Sequence, residues 1–424
     1  MWLLILIVIL LGLLGMPLFA VIFGIAMAGF YFQDIDLSIV PIELYRLTDN
    51  PLMTALPLFT FAGYILSESR ASQRLLHVTQ ALLGWMPGGL AIAALIACAL
   101  FTALTGASGV TIVALGALLY PALKEAGYRK EFNLGLITTS GSLGLLLPPS
   151  IPLILYGIIA QQMDISGVTI EKLFLAGILP CLLMLVLLAA WSLWSSRQDN
   201  IPLEPFSGKR LVSALREAIW EIPLPIVILG GIYSGFFAIS EAAAITVVYV
   251  LIVEVLIYRE IAWRDLPRVI ADAMVMSGGI LLILGAALAF TTLLVDAEIP
   301  MQLFDWIKTH IDDKLTFLLV LNIFLLLLGA ILDIFAALVI VVPLILPVAM
   351  GYDIHPIHLG IIFLANMQVG YFTPPIGMNL FIASYRFNEP VTTLYRATLP
   401  FMLTLLVALM IITYWPALSL ALIE

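Results

Sequence analysis

The chain has 424 residues, of which 63% are hydrophobic and only 11% are charged, and its mean hydropathy is +1.15. Soluble domains are far less apolar than this, and apolar stretches long enough to cross a bilayer follow one another along the whole sequence. The net charge of −9 lies between those stretches, so it gives no support for a nucleic-acid partner. The composition predicts an all-α polytopic membrane protein.

Nine apolar segments are predicted to span the membrane, and two more are predicted to form hairpins. The N-terminal apolar run lacks a basic region and continues to Tyr31, so it is interpreted as a retained helix rather than a signal peptide. The spans cover about residues 2–31, 52–67, 133–160, 173–195, 222–236, 240–257, 269–294, 358–384 and 396–418. The hairpins cover 87–124 and 316–350, with interruptions at 105–109 and 329–333. Re-entrant hairpins are inferred, because two full spans would fit each segment equally well.

A Gly-x-x-x-Pro-Pro signature occurs twice inside apolar segments, at 144–149 and again 226 positions later at 370–375. Proline removes an amide donor and clashes with the preceding helical turn, so two adjacent prolines break a helix. Broken transmembrane helices at matching places in two parts of a chain are typical of the binding site of a secondary transporter.

The distribution of basic residues predicts the topology. With both hairpins re-entrant, all but four of the 18 Lys and Arg fall on one side, which the positive-inside rule assigns to the cytoplasm. Residues 1–195 then form one repeat that starts inside, and residues 240–424 form a second, inverted repeat with the same order of two spans, hairpin, broken helix and span. Residues 196–239 connect the repeats through a linker span and an amphipathic helix over 211–220 that lies along the cytoplasmic surface.

Polar residues within the spans cluster at the two hairpin tips and the two breaks. A broken helix frees carbonyl groups, which suit a hard cation such as sodium, and amide groups at a positive dipole end, which suit an anion. Hydroxyl, amide and glycine residues gather at 102–111, 138–150, 329–333 and 366–379, and no Lys or Arg lies in the predicted membrane core. The sequence therefore predicts a transport site where each hairpin tip faces a broken helix.

Several charged residues and cysteines have two interpretations. Asp333 is predicted to cap the second arm of its hairpin, with a cation or proton ligand as the alternative. Glu241 is placed in the first turn of a helix capped by Ser240, with a substrate or gating role as the alternative. Glu254 and Arg259 are placed at the membrane interface. The cysteines and histidines show no disulfide or metal-site pattern and no hydrolase or ATP-binding motif occurs, so no enzyme activity is predicted; these residues are Cys98, Cys181, His77, His310, His355 and His358.

These motifs resemble the large membrane subunit of the tripartite ATP-independent periplasmic (TRAP) transporters. Four segments that occur in the family's order and at the repeat spacing carry the resemblance: 102–108, 241–244, 329–333 and 370–381. The resemblance covers essentially the whole chain. It implies a multi-pass protein of the bacterial inner membrane with an elevator-type fold like that of the ion transporter superfamily, and sodium-driven uptake of an organic acid.

The resemblance also implies partners and ligands. The partners are a small four-helix membrane subunit and a soluble periplasmic binding protein, in addition to membrane lipids. No cofactor is implied, and sodium ions serve as the coupling ions. The implied sodium sites are Thr102, Thr105, Gly144, Leu147 and Pro148 for the first, and Gly329, Gly370 and Thr373 for the second. Candidates for substrate contact are Ser108, Gly109, Ser150, Asp333, Asn366 and Asn379. Ala107 stands where the family often has serine, so the identity of the acid stays open.

Two other functions compete with this one. The first is a stand-alone sodium/dicarboxylate symporter of related architecture, which would need no binding protein. The second is a membrane-embedded enzyme or scaffold, which would work without an ion gradient. A neighbouring gene for a secreted binding protein would favour the TRAP interpretation over both.

Overall fold

The computed structural model describes residues 7–8, 10–12, 14–48, 51–198 and 205–423, and this part of the chain is helical without a β-strand. The first helices are α1 (Leu18–Phe32), α2 (Ile39–Thr48), α3 (Ala55–Glu68), α4 (Ala71–Leu83), α5 (Gly89–Thr105), α6 (Ser108–Glu125), α7 (Lys130–Ser140), α8 (Ile151–Gln162) and α9 (Ile170–Ser195). The others are α10 (Gly208–Glu217), α11 (Pro223–Tyr233), α12 (Ile239–Leu251), α13 (Leu266–Asp296), α14 (Ile299–His310), α15 (Lys314–Ile331), α16 (Ile334–Gly351), α17 (Pro356–Gly370), α18 (Met378–Phe387), α19 (Val391–Tyr414) and α20 (Ala417–Leu420).

Six of these helices are long and apolar enough to cross a bilayer, as judged over the described residues: α9, α12 with the π-helical turn that follows it, α13, α15, α16 and α19. A seventh span results if α7 and α8, which meet at an angle of 41°, are counted together. Helices α1, α5, α11 and α17 and residues 52–68 are apolar but shorter. The prediction of an all-α polytopic membrane protein is confirmed.

The predicted first span is wrong as a single helix. The chain turns at 14–17, and α1 begins only at Leu18. Gly15 has φ = +104°, a conformation that glycine adopts at little steric cost, and Pro17 has no amide hydrogen to continue a helix. The remainder of the prediction, on residues 2–6, 9 and 13, lies outside the described residues.

The helices are interrupted at both predicted hairpin tips and at both predicted breaks, and the choice between re-entrant hairpins and two full spans stays a prediction. Gly106 and Ala107 join α5 to α6, and Leu332 and Asp333 join α15 to α16. A short 3₁₀ turn at 143–146 and the first Pro-Pro pair separate α7 from α8, and residues 371–377 with the second pair separate α17 from α18. The peptide bond within each Pro-Pro pair is cis. The depth of the hairpin tips in the bilayer stays a prediction.

The two breaks lie against each other. Ser142 Oγ donates a hydrogen bond to the Gln368 carbonyl at 3.2 Å, and these residues are 226 positions apart, the same offset as the repeated signature. Residues related by a two-fold operation contact each other only near its axis. This contact supports a two-fold repeat, and the inverted orientation of the repeats and their boundaries stay predictions.

The segment that connects the repeats contains the predicted amphipathic helix. It is α10, which begins three residues before the predicted start, at Gly208, and packs along α4. Ser207 caps it by accepting a hydrogen bond from the Arg210 amide at 3.4 Å. The helix prediction for this segment is confirmed.

Two predictions concern acidic residues of α12 and the turn that follows it. Glu254 is fully buried and pairs with Arg74 on α4, and its placement at the membrane interface stays a prediction. Ser240 does not cap α12; the helix begins earlier, at Ile239, with Ala238 as its N-cap. Glu241 is in the first turn as predicted, and its carboxylate accepts a hydrogen bond from the Ala238 amide at 2.9 Å, which fixes the earlier start.

Candidate functional site

The tip of the first hairpin packs directly on the first helix break. A Cβ atom at Gly144 would lie 2.1 Å from the Ala99 carbonyl oxygen and 2.5 Å from the Ala103 amide nitrogen, so only glycine allows α5 to come this close. The chain is extended at Leu147, just before the Pro-Pro pair. A Cβ atom at Gly144 would also lie 2.7 Å from Thr102 Cβ, so these two residues of the first implied sodium site are in contact, while the site itself stays a prediction.

A cluster of oxygen atoms lies at this contact. Thr102 Oγ1 is 2.7 Å from the Cys98 carbonyl oxygen, 2.7 Å from Thr111 Oγ1 and 2.9 Å from the Gly141 carbonyl oxygen. A fourth, weak contact joins Thr111 Oγ1 to the Ala107 carbonyl oxygen at 3.5 Å. The hydroxyl groups of Thr102 and Thr111 carry one hydrogen each for these four contacts. The buried Thr105 hydroxyl has no hydrogen-bond partner within the described part of the chain. Backbone amides already donate to the Cys98 and Ala107 carbonyls, so the two hydroxyl hydrogens are sufficient for the cluster, and Thr105 Oγ1 is the described group here without a partner.

The tip of the second hairpin packs on the second break in the same way. A Cβ atom at Gly370 would lie 2.7 Å from both Cα and the carbonyl carbon of Gly329, so the two backbones are in direct contact. The Gly377 amide donates to the Ala330 carbonyl at 3.0 Å. Thr373 Oγ1 donates to the Val369 carbonyl at 2.8 Å. The three residues of the second implied sodium site are thus close together.

Asp333 caps α16, as predicted, because its carboxylate accepts a hydrogen bond from the Phe335 amide at 3.0 Å. Its other oxygen accepts a hydrogen bond from the Tyr371 hydroxyl at 3.0 Å, and that hydroxyl accepts one from the Ile334 amide at 3.0 Å. Tyr371 therefore ties the second tip to the second break. Tyr371 was not among the predicted site residues, although it lies inside the repeated signature.

We expect Tyr371→Phe to destabilise the protein by about 1–3 kcal/mol, because it leaves a buried amide and one carboxylate oxygen without their partner. The measurement is the thermal unfolding of the purified protein. The matched control is Tyr385→Phe, since Tyr385 is 94% exposed. Equal unfolding midpoints for the two variants would contradict a structural role for the Tyr371 hydroxyl.

The first hairpin tip also contacts the second break. Ser108 Oγ donates to Asn379 Oδ1 at 2.9 Å, and Asn379 Nδ2 donates to the Thr138 carbonyl at 3.3 Å. A Cβ atom at Gly109 would lie 2.7 Å from Ile382 Cδ1. Three of the six substrate candidates therefore gather where α6 and α18 both begin.

Two other substrate candidates lie elsewhere. Ser150 caps α8 by accepting a hydrogen bond from the Leu153 amide at 3.3 Å, and its hydroxyl donates to the Leu145 carbonyl. Asn366 is fully buried and donates to Asn322 Oδ1 at 2.6 Å. Asn322 in turn donates to Thr413 Oγ1 at 3.0 Å, so these side chains join α15, α17 and α19. Of this polar network, only Asn366 was predicted from the sequence.

Cys98 and Cys181 are free and buried. Within the described residues, no group of three His, Cys, Asp or Glu could hold a metal ion.

Comparison with known proteins places the chain in a family. The family model of the tripartite ATP-independent periplasmic transporter, DctM component, matches residues 2–418. The C4-dicarboxylate TRAP transporter large permease protein DctM of Rhodobacter capsulatus is 36% identical, over 96% of this chain and 95% of the relative. The ectoine/5-hydroxyectoine TRAP transporter large permease protein UehC of Ruegeria pomeroyi is 32% identical, over 96% of this chain and 95% of the relative.

A solved structure shares the fold. The YdaH transporter of Alcanivorax borkumensis, whose topology is described as unusual, superposes with a TM-score of 0.63 at 18% identity, over 90% of this chain and 88% of that chain. The family match and the apolar helices identify a transporter subunit rather than an enzyme. The chain belongs to the DctM family of TRAP transporters and is a multi-pass protein of the inner membrane.

Proposed function

We propose that this protein is the large permease subunit of a sodium-coupled transporter that takes up an organic acid by an elevator motion. The oxygen cluster around Thr102 is the observation that carries the proposal. Hard cations prefer oxygen ligands, and a sodium ion bound here would take the hydroxyl and carbonyl oxygens that converge on Thr102 as its ligands. The orphaned Thr105 hydroxyl and the carbonyls of the break would complete the site. A second ion would bind at Gly329, Gly370 and Thr373.

The substrate is proposed to bind where α6 and α18 begin. The N-terminus of a helix presents free amides and a positive dipole end, which attract anions. The contact between Ser108 and Asn379 brings two such ends together. This arrangement suits a carboxylate without any Lys or Arg, and relatives named for C4-dicarboxylate and sialic acid transport agree with an acidic substrate.

The elevator motion and the partners are parts of the same proposal. Contacts across the repeats (Ser108 with Asn379, and Ser142 with Gln368) support movement of both hairpins and both broken helices as one body. The partners are a small membrane subunit and a periplasmic binding protein, in agreement with the tripartite family description. The isethionate TRAP transporter permease protein DctMQ of Oleidesulfovibrio alaskensis is a longer relative, and this chain covers 57% of its length.

The sodium site is tested with Thr102→Val and Thr102→Ser. The first removes the hydroxyl and the second keeps it, so only Thr102→Val should weaken sodium binding, by at least about tenfold. Binding is measured as the gain in thermal stability in sodium over potassium at equal ionic strength. A ligand at a hundred times its Kd stabilises the folded state by about 2.7 kcal/mol. Equal stability of the wild-type protein in both salts, or an undiminished sodium effect in Thr102→Val, would contradict the site.

The transport cycle is tested by uptake of radiolabelled C4-dicarboxylate and sialic acid into proteoliposomes. The protein is reconstituted with its small subunit, and the binding protein is added or omitted. We expect uptake only with an inward sodium gradient and with the binding protein present. Sodium-driven uptake without the binding protein would favour the stand-alone symporter instead.

A further inference from the structure

A cleft of about 520 Å³ lies away from the hairpin tips, between the N-terminal ends of α7 and α19 and the C-terminal end of α9. Helix α9 is one of the long apolar spans and is followed by the polar residues 196–198, so this end lies where the bilayer meets water. The positive-inside rule assigns the same end to the cytoplasm. The cleft therefore opens at the level of lipid headgroups in the inner leaflet.

The rim of the cleft is basic. Arg129, Arg197 and Arg396 line it, and Glu131 is the acidic residue among its lining residues. All three arginines are exposed, and Nη2 of Arg129 donates to the Ser195 carbonyl at 3.0 Å, which holds that side chain against α9. Guanidinium groups match phosphate oxygens geometrically. Three arginines against one glutamate favour an anion.

The floor of the cleft is aromatic. Phe132 and Phe401 are buried, with ring centroids 5.6 Å apart, and Trp191 contacts both Phe401 and Trp194. Trp191 Nε1 is buried and has no hydrogen-bond partner within the described residues, although an indole N–H normally finds one. Tryptophan is typical of the membrane interface. An aromatic floor below a basic rim suits a ligand that is apolar at one end and anionic at the other.

We propose that this cleft binds an anionic phospholipid, with its phosphate among the three arginines and the first carbons of its acyl chains on Phe132 and Phe401. Basic pockets between transmembrane helices at the cytoplasmic side are the kind of site that binds such headgroups. The site is separate from the transport site and does not depend on sodium coupling. A free anion would use the arginines but would leave the aromatic floor uncovered.

The test uses the full-length protein in detergent and palmitoyl-oleoyl phosphatidylglycerol, with phosphatidylcholine as the neutral lipid. Binding is followed as the shift in thermal stability with lipid concentration. The variant is the double substitution Arg197→Gln with Arg396→Gln, and the matched control is Arg264→Gln, whose side chain is 88% exposed. An arginine near a membrane surface contributes about fivefold in affinity, so the double variant should bind phosphatidylglycerol about 25-fold more weakly. The control should stay within about twofold of the wild-type protein.

A second measurement on the wild-type protein does not depend on how the variant folds. Phosphatidylglycerol with a diazirine near the head of one acyl chain should label the peptides that contain Trp191 or Phe401, and an excess of unlabelled phosphatidylglycerol should prevent this. Labelling confined to other peptides would overturn the proposal. So would equal binding by the double variant and the control, or protection by inorganic phosphate as complete as that by the lipid.

Discussion

Replacing Arg74 with glutamine is expected to destabilise the folded protein by about 3–5 kcal/mol, because it leaves buried carboxylates without a counter-charge. Arg74 Nε contacts Glu221, Nη1 lies 2.6 Å from Glu260 Oε1, and Nη2 lies 3.1 Å from Glu254 Oε2. The Arg74 side chain is only 9% exposed. The Tyr258 ring centroid lies 4.0 Å from the guanidinium carbon, which adds a cation–π contact. A single cation therefore holds α4, the connecting segment and the end of α12 together.

The loss of folding stability caused by Arg74→Gln should depend on pH. Burial raises the pKa of Glu221, and the contact with Arg74 opposes that rise. An acid whose pKa is raised by folding binds more protons in the folded state, so it lowers stability as pH rises from its ordinary value of 4.5 through its folded pKa. Without Arg74 the pKa of Glu221 would rise further. We therefore expect Arg74→Gln to lose more stability at pH 8 than at pH 5. At pH 5, protonation of Glu221 removes part of the uncompensated charge.

Two control variants separate this effect from general loss of surface charge. Arg268→Gln makes the same change in an ion pair with Glu68 whose side chains are 58% and 41% exposed, and should cost about 1 kcal/mol or less. Glu221→Gln leaves Arg74 with two carboxylates and should also be mild. The measurement is the unfolding midpoint of each variant at both pH values. If Arg74→Gln lost no more stability than Arg268→Gln, the buried ion pairs of Arg74 would not be important for the stability of the fold.

The sequence was sufficient to predict the helix breaks and hairpins, because proline and glycine act on the backbone locally. The start of the first helix was missed for a related reason. Gly15 and Pro17 indicate a local turn, but these two residues lie within a much longer apolar run that reaches Tyr31. Average hydropathy therefore concealed the turn.

The missed side-chain contacts depend on residues that are far apart in sequence. Glu254 lies near the end of an apolar span, and nothing near it indicates that its partner is Arg74, 180 positions earlier. The pairs formed by Asn366 with Asn322 and by Tyr371 with Asp333 likewise form only after the helices pack. The approach of each tip to a broken helix was predicted from the clustered polar residues, whereas the individual sodium ligands came from the family resemblance and stay predictions. Spacing alone does not show that Gly144 faces α5.

Gly370→Ala is expected to reduce uptake to less than about a tenth of the wild-type rate, because it forces the second hairpin tip away from the second break. The new Cβ would lie 2.7 Å from the Gly329 backbone, which no rotamer change can relieve. Overpacking of this kind costs about 1–3 kcal/mol, and a displacement of a binding group by a fraction of an ångström is enough to impair a site. Gly144→Ala should act in the same way on the first tip, where the nearest backbone atom would be 2.1 Å away.

Gly278→Ala is the matched control for Gly370→Ala. Gly278 lies within α13, and a Cβ atom there would meet nothing within 4 Å. Alanine is favoured over glycine in a helix by about 1 kcal/mol, so this control should be slightly more stable than the wild-type protein and fully active. Uptake and unfolding are measured in parallel on the three variants. The same substitution should thus stabilise one helix and impair the two tips. Full uptake by Gly370→Ala would show that contact between the second tip and its break is not needed for transport.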